Sequence, residues 1–445
     1  MKKAERRYGW AGKILRVDLT TGRTTDIPTS KYVPEFMGGR ALGARIYWDE
    51  VPPETGAYAP ENKLIFMTGP AVGTLAPTAN RVTVTGKSPV PYPVECYFYS
   101  SMGGHWGPEL KFAGYDGLVV QGRALEPSYL WIHDGGAEIR DAKHLWGKIS
   151  RDAQIGIRKI HGETTRSVVI GPAGENLCRE AIISSDTAFA TGQGGFGAVM
   201  GSKNLKAIAV KGSGGVSVAK PAELMKLYDY FARLATCKPG EGRQNPVRYM
   251  KYYTSAIRGV LVDHRIDDVD DSAIGEEVDR GWVKRRAGGC FACPVSCLIG
   301  WKFNNSSIPG GAGCCNENKF CINVERAHYG GKPIGRALIE AARLHDDLGL
   351  SETQTGFKYE YEWFFHLVKE GILTRENTGL PVDQLGSSEF WRAYLHQIVR
   401  REGIGALVAE GEERFFVDLM KLIPEGLRGR AQAIRDHWLP KGSYG

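Results

Sequence analysis

Nine cysteines stand at positions 96, 178, 237, 290, 293, 297, 314, 315 and 321, and six of them fall within 32 positions. Cys290, Cys293 and Cys297 have the spacing C-x2-C-x3-C. Thiolates this close in a turn can share one metal centre. A large chain without an apolar leader reads as cytoplasmic, and that setting argues against a disulfide framework. Zinc sites usually pair two C-x2-C units or add histidines. Three close cysteines with a more distant fourth suit a cubane [4Fe–4S] cluster better. Zinc and plain structural thiols stay as the alternatives. Gly288-Gly289 before the motif and Pro294 within it fit a tight wrap, whose amides can donate to cluster sulfurs. The fourth ligand is open. Cys314, Cys315 and Cys321 are near in sequence, whereas Cys96, Cys178 and Cys237 are expected to be buried, inert thiols.

Glycine supplies a second chemical signal. It accounts for 57 of 445 residues, about 13%, against a usual ~7%. Much of it lies before residue 215, in pairs and short clusters. A β-rich domain with many turns would explain this, and so would a large anionic cofactor resting on bare backbone amides. The net charge of +7 is modest and both signs are interspersed. Runs such as Lys284-Arg285-Arg286 are short. A solvated surface is therefore expected, not a nucleic-acid face.

The elements that would position these groups divide the chain. With 42% hydrophobic and 10% aromatic residues, the chain is globular and not disordered. No uncharged apolar run approaches the ~18 residues of a membrane span. Residues 1–212 read as a β-rich base: a hairpin at Lys13–Asp18 and Arg23–Ile27, then short strands at Lys63–Met67, Arg81–Thr85, Gly117–Gln121, Tyr129–His133, Ser167–Ile170, Ala181–Ser184 and Leu205–Val210. One helix is expected at Ser150–His161. After a glycine-rich seam at 212–215, residues 213–422 turn helical, at Pro221–Leu234, Ile334–Leu348, Thr355–Glu370, Ser388–Arg401 and Glu410–Leu422. Residues 423–445 read as the start of an incomplete C-terminal region. The expected fold class is α+β, a two-sheet N-terminal base followed by mostly helical domains.

Four further segments share an order with the cysteine motif. They are Gly69–Pro89 with Pro77-Thr78-Ala79-Asn80-Arg81, Met102–Asp116, Ile170–Asn176, and Gly192–Ala207. Together the sequence resembles the tungsten-containing aldehyde:ferredoxin oxidoreductase family. The resemblance is dense over 8–212, patchier over 213–285, and returns at 286–300 and 334–420. It implies a base of two β-sheets beneath two mostly helical domains. Between them it implies a tungsten (or molybdenum) bis-pyranopterin, Mg2+ bridging the pterin phosphates, and a neighbouring [4Fe–4S] cluster.

Residue by residue, the resemblance implies that Gly103, Gly104, Gly192, Gly194, Gly195 and Gly197 present amides to the phosphates and that Arg81 meets pterin or phosphate oxygen. Ser101 falls in the magnesium-bridging segment, where other members place asparagine. Asp346, Gly349 and Leu350 match the family's Asp-x-x-Gly-Leu signature, whose aspartate contacts a pterin. An acidic helix end before a capping glycine would read the same way. Counting back from Gly349 places Cys321 where the aldehyde branch has a glutamate. The class II benzoyl-coenzyme A reductase branch has its tungsten-binding cysteine there. Cys321 is thus the candidate tungsten ligand. His264, His328 and His105 are candidate proton donors, with a structural or surface role as the alternative for each.

The function implied is low-potential, two-electron redox of an aldehyde/carboxylate or aryl-CoA substrate. The electron partner would be ferredoxin or an iron–sulfur subunit, within an oligomer or complex. A second Asp-x-x-Gly-Leu, bringing a late cysteine, is not found. The chain is thus expected to be a fragment, a split subunit or a partly covered protein. A non-catalytic cofactor-binding or electron-transfer subunit is the alternative, and a zinc-stabilised binding protein is a third.

Overall fold

The computed structural model describes residues 8–33, 35–186, 189–235, 286–294, 298–301, 311–313, 335–351 and 363–439. The hairpin forms from β1 (Lys13–Asp18) and β2 (Arg23–Pro28), with Lys13 opposite Pro28 and Asp18 opposite Arg23. Helix α1 (Gly39–Glu50), β3 (Leu64–Met67), β4 (Val82–Ser88), β5 (Cys96–Met102), α2 (Trp106–Phe112) and β6 (Gly117–Gln121) follow. The first sheet has the order β2-β1-β6-β3-β4-β5, parallel only at β1/β6.

The second sheet takes β7 (Ser128–His133), β8 (Gly136–Asp141), β9 (Arg166–Ile170), β10 (Ile183–Ser185), β11 (Phe189–Ala190) and β12 (Leu205–Lys211). Helices α3 (Ser150–His161), α4 (Pro172–Glu175) and α5 (Phe196–Ser202) interrupt it. Its order is β11-β10-β9-β12-β7-β8, parallel only at β12/β7. The inner faces meet in one core containing Val17, Phe66 and Val84 from the first sheet and Ile132, Val168 and Ile208 from the second. Trp106 and Leu110 of α2, and Phe196 and Met200 of α5, fill the same core. Each fully buried side chain of this size contributes about 1.5–3 kcal/mol. Helix α1 covers the outer face of the first sheet through Leu42 and Ile46. Helix α3 covers that of the second through Ala153 and Ile157.

After α6 (Pro221–Ala235), a small antiparallel sheet is made of β13 (Arg286–Gly288), β14 (Leu298–Trp301) and β15 (Gly311–Gly313). Helices α7 (Gly335–Leu348), α8 (Trp363–Lys369), α9 (Arg375–Thr378), α10 (Ser388–Arg400), α11 (Gly403–Val408), α12 (Glu412–Leu422) and α13 (Glu425–Trp438) complete the chain's described part. Their core joins Trp363, Phe364, Phe390, Tyr394 and Phe415 to Ala173, Cys178, Ala181 and Ala198 of the base. The fold is α+β, with two mixed sheets ahead of a helical part.

Several elements differ from the sequence expectation. Helices α1, α2, α5 and α13 and strands β5 and β8 lie outside the elements that the sequence pattern predicts, α1 because its faces are weakly segregated. The strand expected from Ala181 starts at Ile183, because Ala181 pairs instead with Leu350. The helix expected from Glu410 starts at Glu412, after Gly411 at φ 91°.

Candidate cofactor site

Gly288 pairs with Leu298, so the segment carrying the cysteine motif begins and ends on neighbouring strands. Cys290 to Cys293 make a turn closed by the Cys293 N–H donating to the Cys290 carbonyl at 3.1 Å. The base domain holds this turn. The Phe291 N–H donates to the Gly104 carbonyl at 3.2 Å, and the Asn80 amide donates to the Phe291 carbonyl at 2.9 Å. The Phe291 ring lies edge-on to Phe112 at 5.7 Å and His105 at 6.4 Å. A Cβ on Gly103 would lie 2.6 Å from the Cys290 Sγ. Glycine at 103 thus makes room for the thiol.

Strand register gathers the next residues. Val82 pairs with Met102, which brings Arg81 beside the turn that leaves β5. The exposed Arg81 guanidinium donates to the Ser101 carbonyl at 2.9 Å. Asp186 accepts from the His105 backbone N–H at 3.1 Å. Its carboxylate also lies 3.3 Å from His105 Nδ1 and 3.4 Å from Arg166. Burial alone would raise the Asp186 carboxyl. The His105 hydrogen bond and the Arg166 charge outweigh it and hold the group below the ordinary aspartate range.

The Asp-x-x-Gly-Leu segment ends α7. Gly349 takes φ 79° and its N–H donates to the His345 carbonyl at 2.8 Å, which stops the helix in a left-handed cap. The Ile182 N–H then donates to the Gly349 carbonyl at 2.9 Å, and Ser351 Oγ donates to the Gly192 carbonyl at 3.0 Å. A Cβ on Gly171 would strike the Leu348 carbonyl, so the helix end that carries the signature docks on the third segment as well as on the fourth. Asp347, beside Asp346, is bound by Arg343 at 3.0 Å and Arg151 at 3.6 Å.

The glycines of the fourth segment divide in their surroundings. Gly192 is exposed, with nothing within 4 Å of an added Cβ. At Gly194 a Cβ would press on Phe98 and Phe196, at Gly195 on the Arg179 carbonyl, and at Gly197 on Ala181 and Ile182 backbone. The Gly197 N–H is already used, donating to the Ala181 carbonyl at 2.9 Å. Close packing alone accounts for glycine at these three positions. Cys297, Cys321, His264 and His328 lie outside the described residues. Among the described residues no three His, Cys, Asp or Glu side chains converge as a metal-ligand set.

Residues 14–212 match the family described as aldehyde ferredoxin oxidoreductase, N-terminal domain, and residues 254–425 match aldehyde ferredoxin oxidoreductase, domains 2 and 3. The chain belongs to the aldehyde ferredoxin oxidoreductase family. It is 35% identical over 423 residues to the tungsten-containing aldehyde ferredoxin oxidoreductase of Pyrococcus furiosus, covering 92% of this chain and 67% of that one. It is 30% identical to the WOR-like subunit of aliphatic sulfonate oxidoreductase from the same organism, over 98% of this chain and 72% of that one. Its fold is similar to a chain of the benzoyl coenzyme A reductase active-site complex BamBC, solved with 1,5-dienoyl-CoA. That similarity has a TM-score of 0.81 and 29% identity, over 96% of this chain and 65% of that chain. The chain thus spans about two thirds of the length of these relatives.

The residues present fit the groups that aldehyde ferredoxin oxidoreductases imply. Cys290 and Cys293 are soft donors on one turn, with Gly103 leaving space at the thiol. Arg81 and Gly192 are exposed and suited to a phosphate. Sequence reasoning passed over Asn80 and Asp186. Asn80 stands inside the Pro77–Arg81 motif, but its partner is 211 positions away. Asp186 carried no sequence signal, because its value depends on His105 and Arg166 meeting it in space.

Proposed function

We propose that the chain holds the tungstopterin and the [4Fe–4S] cluster of a low-potential oxidoreductase acting on an aldehyde/carboxylate or aryl-CoA substrate. One observation carries this reading. The cysteine turn packs on Gly103-Gly104, and the Asp-x-x-Gly-Leu segment docks through Gly349 on Ile182 and through the adjacent Ser351 on Gly192, so both family motifs are held by the base domain. Two-electron redox chemistry is what a bound tungstopterin supplies, with single-electron transfer through the cluster.

In this reading Cys290, Cys293 and Cys297 hold the cluster and Cys321 binds the tungsten. Arg81, Gly103, Gly104, Gly192 and Asp346 meet the pterins and their phosphates. Gly194, Gly195, Gly197, Gly349 and Leu350 shape the same loops. Ser101 lies at the magnesium-bridging segment. His105, held by Asp186, is the described candidate for moving a proton, and His264 and His328 are the others. Electrons would pass to a ferredoxin or an iron–sulfur subunit in a cytoplasmic complex. The names of the relatives support both substrate classes: an aldehyde oxidoreductase by sequence and a benzoyl coenzyme A reductase by structure.

Metal analysis of anaerobically purified protein tests the assignment. About one tungsten (or molybdenum) and about four irons per chain are expected; zinc alone would overturn it. Viologen-linked aldehyde oxidation, set against aryl-CoA turnover, decides the substrate class. Cys321→Ser should abolish activity, and full activity would remove Cys321 as the tungsten ligand.

A further inference from the structure

We propose that Asn80 is a positioning residue that sets the conformation of the Cys290–Cys293 turn before any metal binds. The inference rests on reading those two cysteines as cluster ligands. Asn80 is only 2% exposed. Its Nδ2 donates to the Phe291 carbonyl at 2.9 Å and to the Thr74 carbonyl at 3.3 Å. Its Oδ1 accepts from the Gly73 N–H at 2.7 Å. One carboxamide thus ties the loop at 73–80 to the turn between the two thiols.

The opposite side of the turn is held as well. The Phe291 N–H is bound by the Gly104 carbonyl, so both backbone groups of Phe291 are fixed by the base. The turn needs such support because Ala292 takes φ 50°, a left-handed conformation that is costly for a residue with a Cβ. A carboxamide is the suitable group here, since two carbonyls require donors and one N–H requires an acceptor. Aspartate has the same shape but carries no donor when ionised. It would turn a carboxylate oxygen toward the Phe291 carbonyl and release it.

The test uses Asn80→Asp and Asn80→Ser in the full chain, read in two ways. In metal-free protein, alkylation of Cys290 and Cys293 by iodoacetamide is followed by peptide mass spectrometry. A rate about five-fold above wild type is expected, the opening that one lost net hydrogen bond allows. Cys178 reports on folding, because it is buried and its thiol is pushed up to about 12 by that burial. In protein reconstituted with ferrous iron and sulfide, a changed EPR signal of the reduced cluster, a shifted midpoint potential and faster iron loss to a chelator are expected.

Wild-type alkylation rates with a wild-type EPR signal and potential in both variants would overturn the proposal. If wild-type protein takes up no iron, the ligand assignment fails and the alkylation rates still decide the clamp. If Asn80→Asp makes Cys178 reactive, the milder Asn80→Ser decides. An unchanged Cys290 rate there overturns the proposal.

Discussion

Lys111 and Asp116 meet at 2.6 Å with no side-chain surface exposed. Asp116 also accepts from the backbone N–H groups of Ala11 and Gly12, at 2.8 Å each, and from Thr29 Oγ1 at 2.6 Å. The pair pins the first strand's entry to the end of α2. Removing one member leaves the other charge buried without compensation, so Asp116→Ala should cost about 3–5 kcal/mol. Urea unfolding measures this, and a loss below ~1 kcal/mol would refute the argument. His345 behaves differently. It is buried beside the Asp-x-x-Gly-Leu signature, with Nδ1 2.9 Å from the Ala341 carbonyl. Burial pushes its pKa down to about 4, so the folded state keeps it neutral. An unfolded histidine titrates near ~6.5. The stabilisation is therefore complete above pH ~6.5 and is lost as pH falls from there toward ~4. Wild type should lose more stability between about pH 7 and pH 5 than His345→Gln does. Equal losses would show that His345 does not set the dependence.

At the level of elements, α4 and α5 touch backbone to backbone. A Cβ on Gly201 would strike the Gly174 carbonyl, and one on Gly197 would strike the backbone of Ala181 and Ile182. Neither contact can be relieved by turning a side chain. Gly201→Ala and Gly197→Ala should each destabilise the cofactor-free protein by about 1–3 kcal/mol. Gly192→Ala meets open space and should leave the unfolding midpoint within about 0.5 kcal/mol of wild type. Denaturation of metal-free protein separates the packing glycines from the exposed one. A large loss at Gly192 would contradict its placement.

The whole molecule is sewn together across the base and the helical part. Arg179 pairs with Glu95 at 3.1 Å and Glu410 at 2.8 Å, Asn176 donates to the Val399 carbonyl, and Arg414 donates to the carbonyls of Val90 and Pro91. Their shared apolar core runs from Ala173 to Leu439. Calorimetry should therefore show one transition for the base and the helical part, with calorimetric and van't Hoff enthalpies in agreement. Gly171→Ala, whose Cβ would enter the Leu348 carbonyl, should weaken that coupling and broaden the transition. Two resolved transitions in wild type would show that the contacts do not couple the parts.

Much of the fold was legible in the sequence because strand alternation and helical spacing are local. The β1/β2 hairpin, Gly117–Gln121 and Ser150–His161 follow from such patterns. Helix α1 escaped because its faces are weakly segregated, with Arg40, Gly43 and Arg45 among its apolar residues. For the site, residue type and spacing singled out Cys290, Cys293 and the glycine clusters, because paired thiols and bare backbone are each unusual in type and number, whereas Asp346 came only from the family resemblance. What each glycine does was not legible, because a missing Cβ serves a ligand or a neighbour equally well until the neighbour is placed. Tertiary structure assigned Gly103 to the Cys290 thiol, Gly197 to the backbone of Ala181 and Gly192 to open space. It also set Asn80 against Phe291 and Asp186 against His105. Those pairings arise from hydrogen bonds between distant segments, and no local pattern encodes which distant partner a polar group will meet.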